Sequence, residues 1–266
     1  MKILVVGGGG REHAICYKLS QSKQVDKIYC APGNGGIAEL AECVDIAATD
    51  IENMVKFAKD NAIDLVMVAP DDPLVLGMVD AMEKEGIRAF GPRANAAIIE
   101  GSKAFSKELM KKYNIPTANY EVFTDSTSAI DYIKAQNTFP TVIKADGLAL
   151  GKGVIIAQNL EEAEQAVHEM IDDGKFGKSG SRVVIEEFLT GPEVSVLAFT
   201  DGKTVKPMVS AQDHKRAYDN DEGLNTGGMG TISPNPYYTD EIAKECMDTI
   251  FIPTINAMVA EGRPFK

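Results

Sequence analysis

Between Val142 and Ala157 the sequence reads VIKADGLALGKGVIIA. Apolar, largely β-branched residues flank a centre with three glycines, two lysines and one aspartate. The flanks predict two β-strands joined by a loop. No GxxxxGK[ST] runs into a helix, so this is not a Walker P-loop. A tight hairpin would use a two-residue Asn-Gly or Asp-Gly turn with solvated charges. Because this loop is longer and cationic, we interpret it as a cover for phosphate rather than a flexible hairpin tip.

The sequence around this loop predicts an α+β region rich in antiparallel strands. Ser102 to Tyr113 reads as a basic helix capped by Ser102, and two further helices are expected at about 125–136 and 160–172. Asn159 followed by Glu162 resembles a capping box at the start of the last one. The strand-like pieces are YEVF, PTVIKA, GVIIA, SRVVIEEFL, EVSVLAFTDG and KTVKPMVSA.

Residues 1 to about 100 predict a different architecture, a doubly wound α/β domain. Buried strands are expected at residues 2–6, 27–31, 63–70 and 87–90, and helices alternate with them, including one over Leu74 to Lys84. Such alternation implies βαβ units and a parallel sheet. Ligands of these sheets lie beyond the carboxyl ends of the strands. Those ends carry three loops, Gly7–Gly10, Pro32–Gly36 and Pro70–Pro73.

The glycine run GGGGREHA suggests a dinucleotide fingerprint, but two of its elements are missing. The last glycine of G-x-G-x-x-G would fall on Glu12 or His13, and no acidic residue ends the second strand. This argues against NAD. Glycines before a helix still leave amide N–H groups for an anion, with Arg11 and His13 as extra donors. The alternative is a tight turn needed only for helix–sheet packing.

Two downstream motifs also have the composition of binding sites. The strand VVIEEFLTGPE, residues 183–193, ends in paired carboxylates and a Gly-Pro turn, which would suit a nucleoside; solvated glutamates at a strand end are the alternative. DHKR at 213–216 and NTGGMG at 225–230 combine charged donors with a glycine-rich turn. Together they predict a site for a substrate anion, although a solvated charge run and a flexible loop would look similar.

Composition excludes several classes of function. The 266 residues carry a net charge of −12, from 39 acidic and 27 basic residues, which argues against nucleic acid as a partner. The four cysteines form no CxxC pair, so neither a zinc cluster nor a disulfide framework is expected. The first apolar run is too short for a signal peptide, and no membrane span is expected. These features predict a soluble, cytoplasmic protein with no membrane partner.

The order of the motifs carries a resemblance to a known family. GGGGREHA, APGN, SKAFSKELM, VIKADGLALGKGV, VIEEFLTGPEVS, AQDHKR and NTGGMG follow one another as in the phosphoribosylamine–glycine ligase family, ATP-grasp enzymes of purine biosynthesis. The resemblance implies small-molecule substrates, glycine and 5-phosphoribosylamine, with ATP and Mg²⁺. ATP would phosphorylate the glycine carboxylate, and the amine would displace phosphate from glycyl phosphate. A closing loop would shield that acyl phosphate from water.

The resemblance also implies a role for individual residues and a division into domains. The nucleotide would be bound by Lys103, Lys144, Asp146, Gly147, Gly151, Lys152, Gly153, Glu186, Glu187, Phe188 and Glu193. The other substrates would be bound by Gly9, Asn34, Asp213, Lys215, Arg216 and Gly228, and the catalytic residues would be Lys144, Lys152 and Arg216. The expected domains are residues 1–101, an ATP-grasp core from 102–119 and 191–266, and a lid from 120–190.

Two departures from the family pattern affect these expectations. Pro70-Asp71-Asp72-Pro73 replaces the usual Pro-Glu-x-Pro, which makes Asp71 a less certain substrate contact. The Glu-x-Asn motif that binds metal in the family does not occur, so the Mg²⁺ ligands are expected beyond Lys266 and the piece alone is expected to be inactive. The alternatives are another ATP-grasp carboxylate–amine ligase and a non-catalytic module that binds NAD.

Overall fold

A computed structural model describes residues 1–148 and 153–266 of the chain. The chain forms two compact units. The first comprises residues 1–106, 146–151 and 265–266, and the second comprises residues 107–145 and 152–264.

The first unit is built on a five-stranded parallel sheet. Its strands are β1 (Lys2–Gly7), β2 (Lys27–Pro32), β3 (Glu42–Cys43), β4 (Leu65–Val68) and β5 (Ala89–Phe90). They lie in the order β3-β2-β1-β4-β5, and every pairing is parallel. The doubly wound parallel sheet predicted from the sequence is confirmed. The sequence missed β3, which has two residues and therefore no periodicity to detect.

Helices connect these strands. They are α1 (Gly10–Ser20), α2 (Ile51–Asp60), α3 (Asp71–Val75), α4 (Met78–Lys84) and α5 (Ala94–Gly101). The single helix predicted over Leu74 to Lys84 is wrong. Gly77 has a φ of 91°, in the left-handed region that ends one helix before the next begins.

The central strand β1 is covered on both faces, which explains its uninterrupted apolar sequence. Leu4 and Val6 pack in one cluster with Met54 and Met78. Ile3 and Val5 face the opposite way, into a second cluster that contains Cys16 and Cys30. Strand β1 is therefore held at the centre of the unit, and its carboxyl end at Gly7 is fixed.

The second unit contains an antiparallel sheet flanked by helices. Its strands are β6 (Tyr120–Phe123), β7 (Thr141–Ala145), β8 (Val154–Ala157) and β9 (Val183–Glu187), in the order β6-β9-β7-β8. The helices α7 (Ser126–Gln136) and α8 (Leu160–Ile171) confirm the two predicted there. The side chain of Asn159 caps α8 by accepting from the amide of Glu162 at 3.0 Å.

Alternation along these strands separates a core face from a polar face. Ile143, Ala145, Val183 and Ile185 are buried in the cluster that α7 and α8 complete. Because side chains alternate along a strand, Lys144 and Glu186 point to the other face. We call the face away from α7 and α8 the polar face, and it carries Lys144 and Glu186 beside the buried Val142 and Val184.

The remainder of the second unit has short elements. Three antiparallel pairs form, β10 (Ala198–Thr200) with β11 (Val205–Pro207), β12 (Gln212–Asp213) with β15 (Thr231–Ile232), and β13 (Arg216–Tyr218) with β14 (Glu222–Asn225). The strands predicted over EVSVLAFTDG and KTVKPMVSA are therefore shorter than expected. A π-helical turn at Met247–Phe251 joins α9 (Asp240–Cys246) to α10 (Ile252–Ala260). Helix α6 (Lys103–Lys112) begins in the first unit and ends in the second.

None of the helices in the described ranges has the length and apolarity needed to cross a membrane.

Candidate functional site

Lys144 and Glu186 form an ion pair on the polar face of the antiparallel sheet. In the β7–β9 register Val142 lies opposite Glu186 and Lys144 lies opposite Val184, so the two charged residues are diagonal neighbours on one face. Lys144 Nζ donates to Glu186 Oε2 at 3.0 Å. The Glu186 side chain is 6% exposed and that of Lys144 is 28% exposed. The structure therefore brings together two residues that the sequence assigned to the nucleotide.

A second lysine, Lys107 of α6, contacts the same carboxylate. Its Nζ lies 3.1 Å from Glu186 Oε2. The other oxygen of Glu186, Oε1, is buried and has no hydrogen-bond partner among the described residues. The sequence motifs did not identify Lys107 as a site residue. The one feature that could have done so is its position one helical turn after Lys103 within SKAFSKELM.

Glu187, the second carboxylate of the pair, has a different environment. Its two oxygens accept from the backbone amide and the side-chain amide of Asn119, at 2.8 and 3.0 Å. These donors lower the pKa of Glu187 below its ordinary value. A cavity of about 160 Å³ lies beside it, lined among others by Tyr132, Gln136 and Thr141. The adjacent glutamates therefore face different partners, and the role predicted for Glu187 stays a prediction.

Asp146, at the start of the glycine–lysine loop, holds the first turn of α6 within the first unit. Its carboxylate accepts from Ser102 Oγ at 2.9 Å and from the amide of Ala104 at 2.7 Å, and it is 8% exposed. Ser102 Oγ accepts in turn from the amide of Phe105 at 3.1 Å, which confirms Ser102 as the cap of the helix. Lys103 Nζ donates to the carbonyl of Gly147 at 2.9 Å. The loop base and the helix start are therefore one hydrogen-bonded assembly.

Only part of the glycine–lysine loop lies within the described residues. Gly151 and Lys152 lie outside the described residues. The carbonyl of Gly153 accepts from the amide of Ala145 at 2.8 Å, which continues the β7–β8 ladder. The role of the loop as a phosphate cover therefore stays a prediction.

The motifs DHKR and NTGGMG are neighbours in the structure. The backbone of His214 bonds with both Gly230 and Met229, at 3.1 and 2.7 Å. A Cβ on Gly228 would lie 3.1 Å from Asp213 Oδ1, and the φ of Gly228 is +120°. The glycines of the second motif therefore allow close approach to the charged residues of the first.

The charged side chains of DHKR already have partners in the chain. Lys215 Nζ donates to Glu193 Oε1 at 2.6 Å, and this bond raises the pKa of Lys215 above its ordinary value. Arg216 donates to the carbonyl of Gly223 at 2.6 Å. The structure thus pairs Glu193, predicted for the nucleotide, with Lys215, predicted for another substrate. Phe188 is exposed to 40% and lies just after β9.

In the first unit, the loop that follows β1 packs against the loop that follows β2. Asn34 Nδ2 donates to the carbonyl of Gly8 at 2.9 Å. The amide of Gly9 donates to Glu12 Oε2 at 2.6 Å. The expectation that the glycine amides are free for an anion is therefore wrong for Gly9, because the buried Glu12 carboxylate occupies it. Packing, the alternative considered for these glycines, accounts for Gly8.

Replacing Gly8 by alanine is expected to lower the free energy of unfolding by about 2 kcal/mol. The new Cβ would lie 2.5 Å from the carbonyl oxygen of Gly33, so one of the two loops must move. Urea denaturation followed by circular dichroism measures the effect. Gly10→Ala is the matched control, since its Cβ meets no atom of the described residues within 4 Å and alanine favours the helix. Equal stability of the two variants would contradict the packing argument.

Within residues 1–148 and 153–266, no group of three or more His, Cys, Asp or Glu side chains could hold a metal ion.

The comparison with known sequences covers the whole chain. Residues 1–100 match the N domain of phosphoribosylglycinamide synthetase, and residues 101–266 match its ATP-grasp (A) domain. A phosphoribosylamine–glycine ligase of Halalkalibacterium halodurans is 52% identical over 265 residues, which are 100% of this chain and 62% of that protein. One of Haemophilus influenzae is 52% identical over 267 residues, with the same coverage of 100% and 62%. The chain therefore spans about 62% of the length of these curated relatives.

Solved structures agree with the sequence comparison. The crystal structure of a phosphoribosylamine–glycine ligase from Thermotoga maritima superposes with a TM-score of 0.82 at 31% identity, over 100% of this chain and 63% of that one. A biotin carboxylase domain from Hydrogenobacter thermophilus, in complex with MgADP, superposes with a TM-score of 0.76 at 17% identity, over 99% and 58%. The second likeness shows the fold alone. The resemblance carried by the motifs is confirmed, and the chain belongs to the phosphoribosylglycinamide synthetase family.

Proposed function

We propose that this chain carries the N domain and ATP-grasp residues of an enzyme that ligates glycine to 5-phosphoribosylamine at the expense of ATP. The observation that carries the proposal is the match of both family domains, in order, over residues 1–100 and 101–266. The products would be glycinamide ribonucleotide, ADP and phosphate, as part of purine biosynthesis. The free cysteines are consistent with a cytoplasmic setting.

The proposed reaction has two steps, phosphorylation of glycine and transfer of the glycyl group to the amine. The glycine carboxylate attacks the γ-phosphorus of ATP, and ADP leaves with the electrons of the broken P–O bond. The amine of phosphoribosylamine then attacks the acyl carbon of glycyl phosphate. Inorganic phosphate leaves with the electrons of the broken acyl C–O bond, and the nitrogen loses one proton to solvent as the amide forms. Both steps depend mainly on positioning and charge neutralisation. Mg²⁺, when bound, would neutralise charge on the phosphates.

Within the second unit, Lys144 and Glu186 are the proposed nucleotide contacts. Lys144 would place its ammonium group against a phosphate. The unpartnered, buried Oε1 of Glu186 is an acceptor that an adenine amino group would satisfy. A buried polar atom without a partner has lost its hydration, which destabilises the protein. A hydrogen bond from the adenine amino group to Glu186 Oε1 would remove that penalty. We propose that residues 120–190, which include the antiparallel sheet, act as the lid.

The paired motifs DHKR and NTGGMG are the proposed site for a substrate anion. The carbonyl of Lys215 accepts from the amide of Thr226, and Arg216 lies opposite Asn225 in the β13–β14 pair, so two cationic residues adjoin the glycine motif. For an anion to bind there, the ammonium group of Lys215 would have to leave Glu193 for the ligand or contact both at once. Asn34, in the first unit, remains a proposed contact of phosphoribosylamine, and a contact with Gly9 would require its amide to exchange the Glu12 carboxylate for the ligand.

Titration of the chain with ATP and with NAD tests the nucleotide class. We expect ATP to bind and NAD to bind at least about tenfold more weakly, because the glycine run lacks the dinucleotide fingerprint. Isothermal titration calorimetry measures both affinities. Preferred binding of NAD would overturn the proposal. ADP release with glycine, compared with other carboxylates and measured on an enzyme of the full length of the curated relatives, then identifies the acyl substrate. Release that requires a different carboxylate would contradict the ligase assignment.

A further inference from the structure

We propose that Lys107 is a positioning residue for the nucleotide. It serves as a permanent counter-ion of Glu186, and this leaves Lys144 able to exchange Glu186 for a phosphate group of ATP. The inference rests on the proposed function and deepens it. It assigns a role to a residue that neither touches the nucleotide in the proposal nor belongs to the predicted site.

The geometry shows one carboxylate oxygen shared by two ammonium groups. Lys107 Nζ lies 3.1 Å and Lys144 Nζ lies 3.0 Å from Glu186 Oε2. The side chains of Glu186 and Lys107 are 6% and 11% exposed, whereas that of Lys144 is 28% exposed. Of these three charged residues, Lys107 and Glu186 form the buried pair, and Lys144 is the accessible member.

The two lysines differ in how firmly they are held. Lys107 Nζ also donates to Thr117 Oγ1 at 2.7 Å and to the carbonyl of Ala118 at 3.4 Å, and it lies 5.6 Å from the centre of the Tyr120 ring. These contacts fix its ammonium group from several sides. Lys144, by contrast, precedes the glycine–lysine loop on β7, and the lysine stem allows its ammonium group to move.

The charge balance explains why two lysines are needed. Removing the counter-ion of a buried carboxylate leaves an uncompensated charge, which is strongly unfavourable. If Lys144 were the sole partner of Glu186, each binding of ATP would leave that buried carboxylate without a counter-ion. With Lys107 in place, Glu186 keeps an ion pair while Lys144 turns to the phosphate. Lys107 therefore favours nucleotide binding through Glu186 without contacting the nucleotide.

Lys107→Met tests the inference in the whole chain. We expect its affinity for ATP to fall about tenfold, which corresponds to about 1.4 kcal/mol. Lys111→Met is the matched control, because Lys111 is exposed on the same helix and its Nζ lies 5.7 Å from the same Tyr120 ring. This control removes the same charge and a similar ring contact, and its ATP affinity should stay within about twofold of the unchanged chain.

A rescue experiment separates positioning from general damage. Glu186→Gln replaces the carboxylate by a neutral amide that needs no counter-ion. The double variant Lys107→Met with Glu186→Gln should therefore bind ATP within about twofold of Glu186→Gln alone. A purely structural role for Lys107 would give additive losses instead, and additive losses would overturn the inference.

If Lys107→Met does not fold, Thr117→Val is the second variant. It removes the 2.7 Å hydrogen bond to Lys107 and keeps the charges of Lys107 and Glu186, and about threefold weaker binding of ATP is expected.

Chemical labelling provides a readout that does not depend on ATP. A lysine held against a carboxylate by an ion pair is less accessible to an amine reagent than one that moves in solvent. In Lys107→Met, Glu186 pairs with Lys144 alone and holds it more firmly, so reductive methylation of Lys144 should slow about threefold, as measured by mass spectrometry. Unchanged labelling would overturn the inference even if the chain bound no ATP. Binding of ATP by the unchanged chain, with equal affinity in Lys107→Met, would overturn the inference and leave the proposed function standing.

Discussion

Replacing Asp146 by alanine is expected to lower the free energy of unfolding of the first unit by about 3 kcal/mol. The carboxylate is buried and accepts from Ser102 Oγ and from the amide of Ala104. Alanine would leave both donors without this acceptor at the start of α6, where backbone amides have no partner within the helix. Hydrogen exchange of the amides of residues 103–106, combined with urea denaturation, measures the loss.

An exposed cap provides the control for this prediction. Asp125 caps α7 by accepting from the amide of Ser128 at 2.8 Å. Asp125→Ala should cost about 1 kcal/mol, because water can replace the lost acceptor. Asp146→Asn keeps one acceptor oxygen and should fall between the two. If Asp146→Ala were no more destabilising than Asp125→Ala, the buried assembly at the loop base would not have the importance that its geometry indicates.

Asp146 has a structural role that its motif did not indicate. Sequence analysis assigned Asp146 to the nucleotide because it opens the glycine–lysine loop. Its oxygens accept hydrogen bonds from the start of α6, which lies more than 40 residues earlier in the chain. Nothing in a single sequence pairs Asp146 with Ser102, since each has ordinary local neighbours. The nucleotide role of Asp146 stays a prediction, and the structural role is a finding.

The fold itself could be predicted wherever a strong local pattern existed. KILVV indicated a strand buried on both faces, and β1 is one. The strand-like pieces PTVIKA and SRVVIEEFL correspond to β7 and β9, whose register places Lys144 and Glu186 on the same side. The prediction failed where one residue overrides the pattern, as Gly77 does between α3 and α4. It also failed for short strands such as β3, whose pairing depends on tertiary contacts.

Candidate site residues could be chosen by residue type, but their partners within the chain could not. Glu186, Glu193 and Lys215 were all identified from their motifs, yet the ion pair between Glu193 and Lys215 was not foreseen. Lys107 was missed for the same reason, since its contact with Glu186 spans 79 residues, from position 107 to 186. Charge and spacing indicate candidate ligand-binding groups, whereas their ion pairs within the chain depend on distances that only the fold supplies.

Replacing Lys144 by methionine is expected to weaken ATP binding about 100-fold under the proposed function, while the chain stays folded. A charge-assisted hydrogen bond to phosphate contributes about 1.5–3 kcal/mol, and 1.4 kcal/mol corresponds to a factor of ten. The chain should tolerate the change because Glu186 retains Lys107 as its counter-ion. Calorimetric titration with ATP and thermal unfolding by circular dichroism measure the two effects separately.

The control for this variant is Lys134→Met, on the other side of the same sheet. Lys134 Nζ pairs with Glu164 at 2.7 Å, and its side chain is 50% exposed. An exposed pair contributes little to stability, so this variant should bind ATP and unfold like the unchanged chain. Lys144→Arg should recover part of the affinity, because the guanidinium keeps the charge but not the point geometry of the ammonium group. Unchanged ATP affinity in Lys144→Met would remove Lys144 from the nucleotide site. A large loss of thermal stability without a loss of affinity would instead make Lys144, rather than Lys107, the structural partner that Glu186 requires.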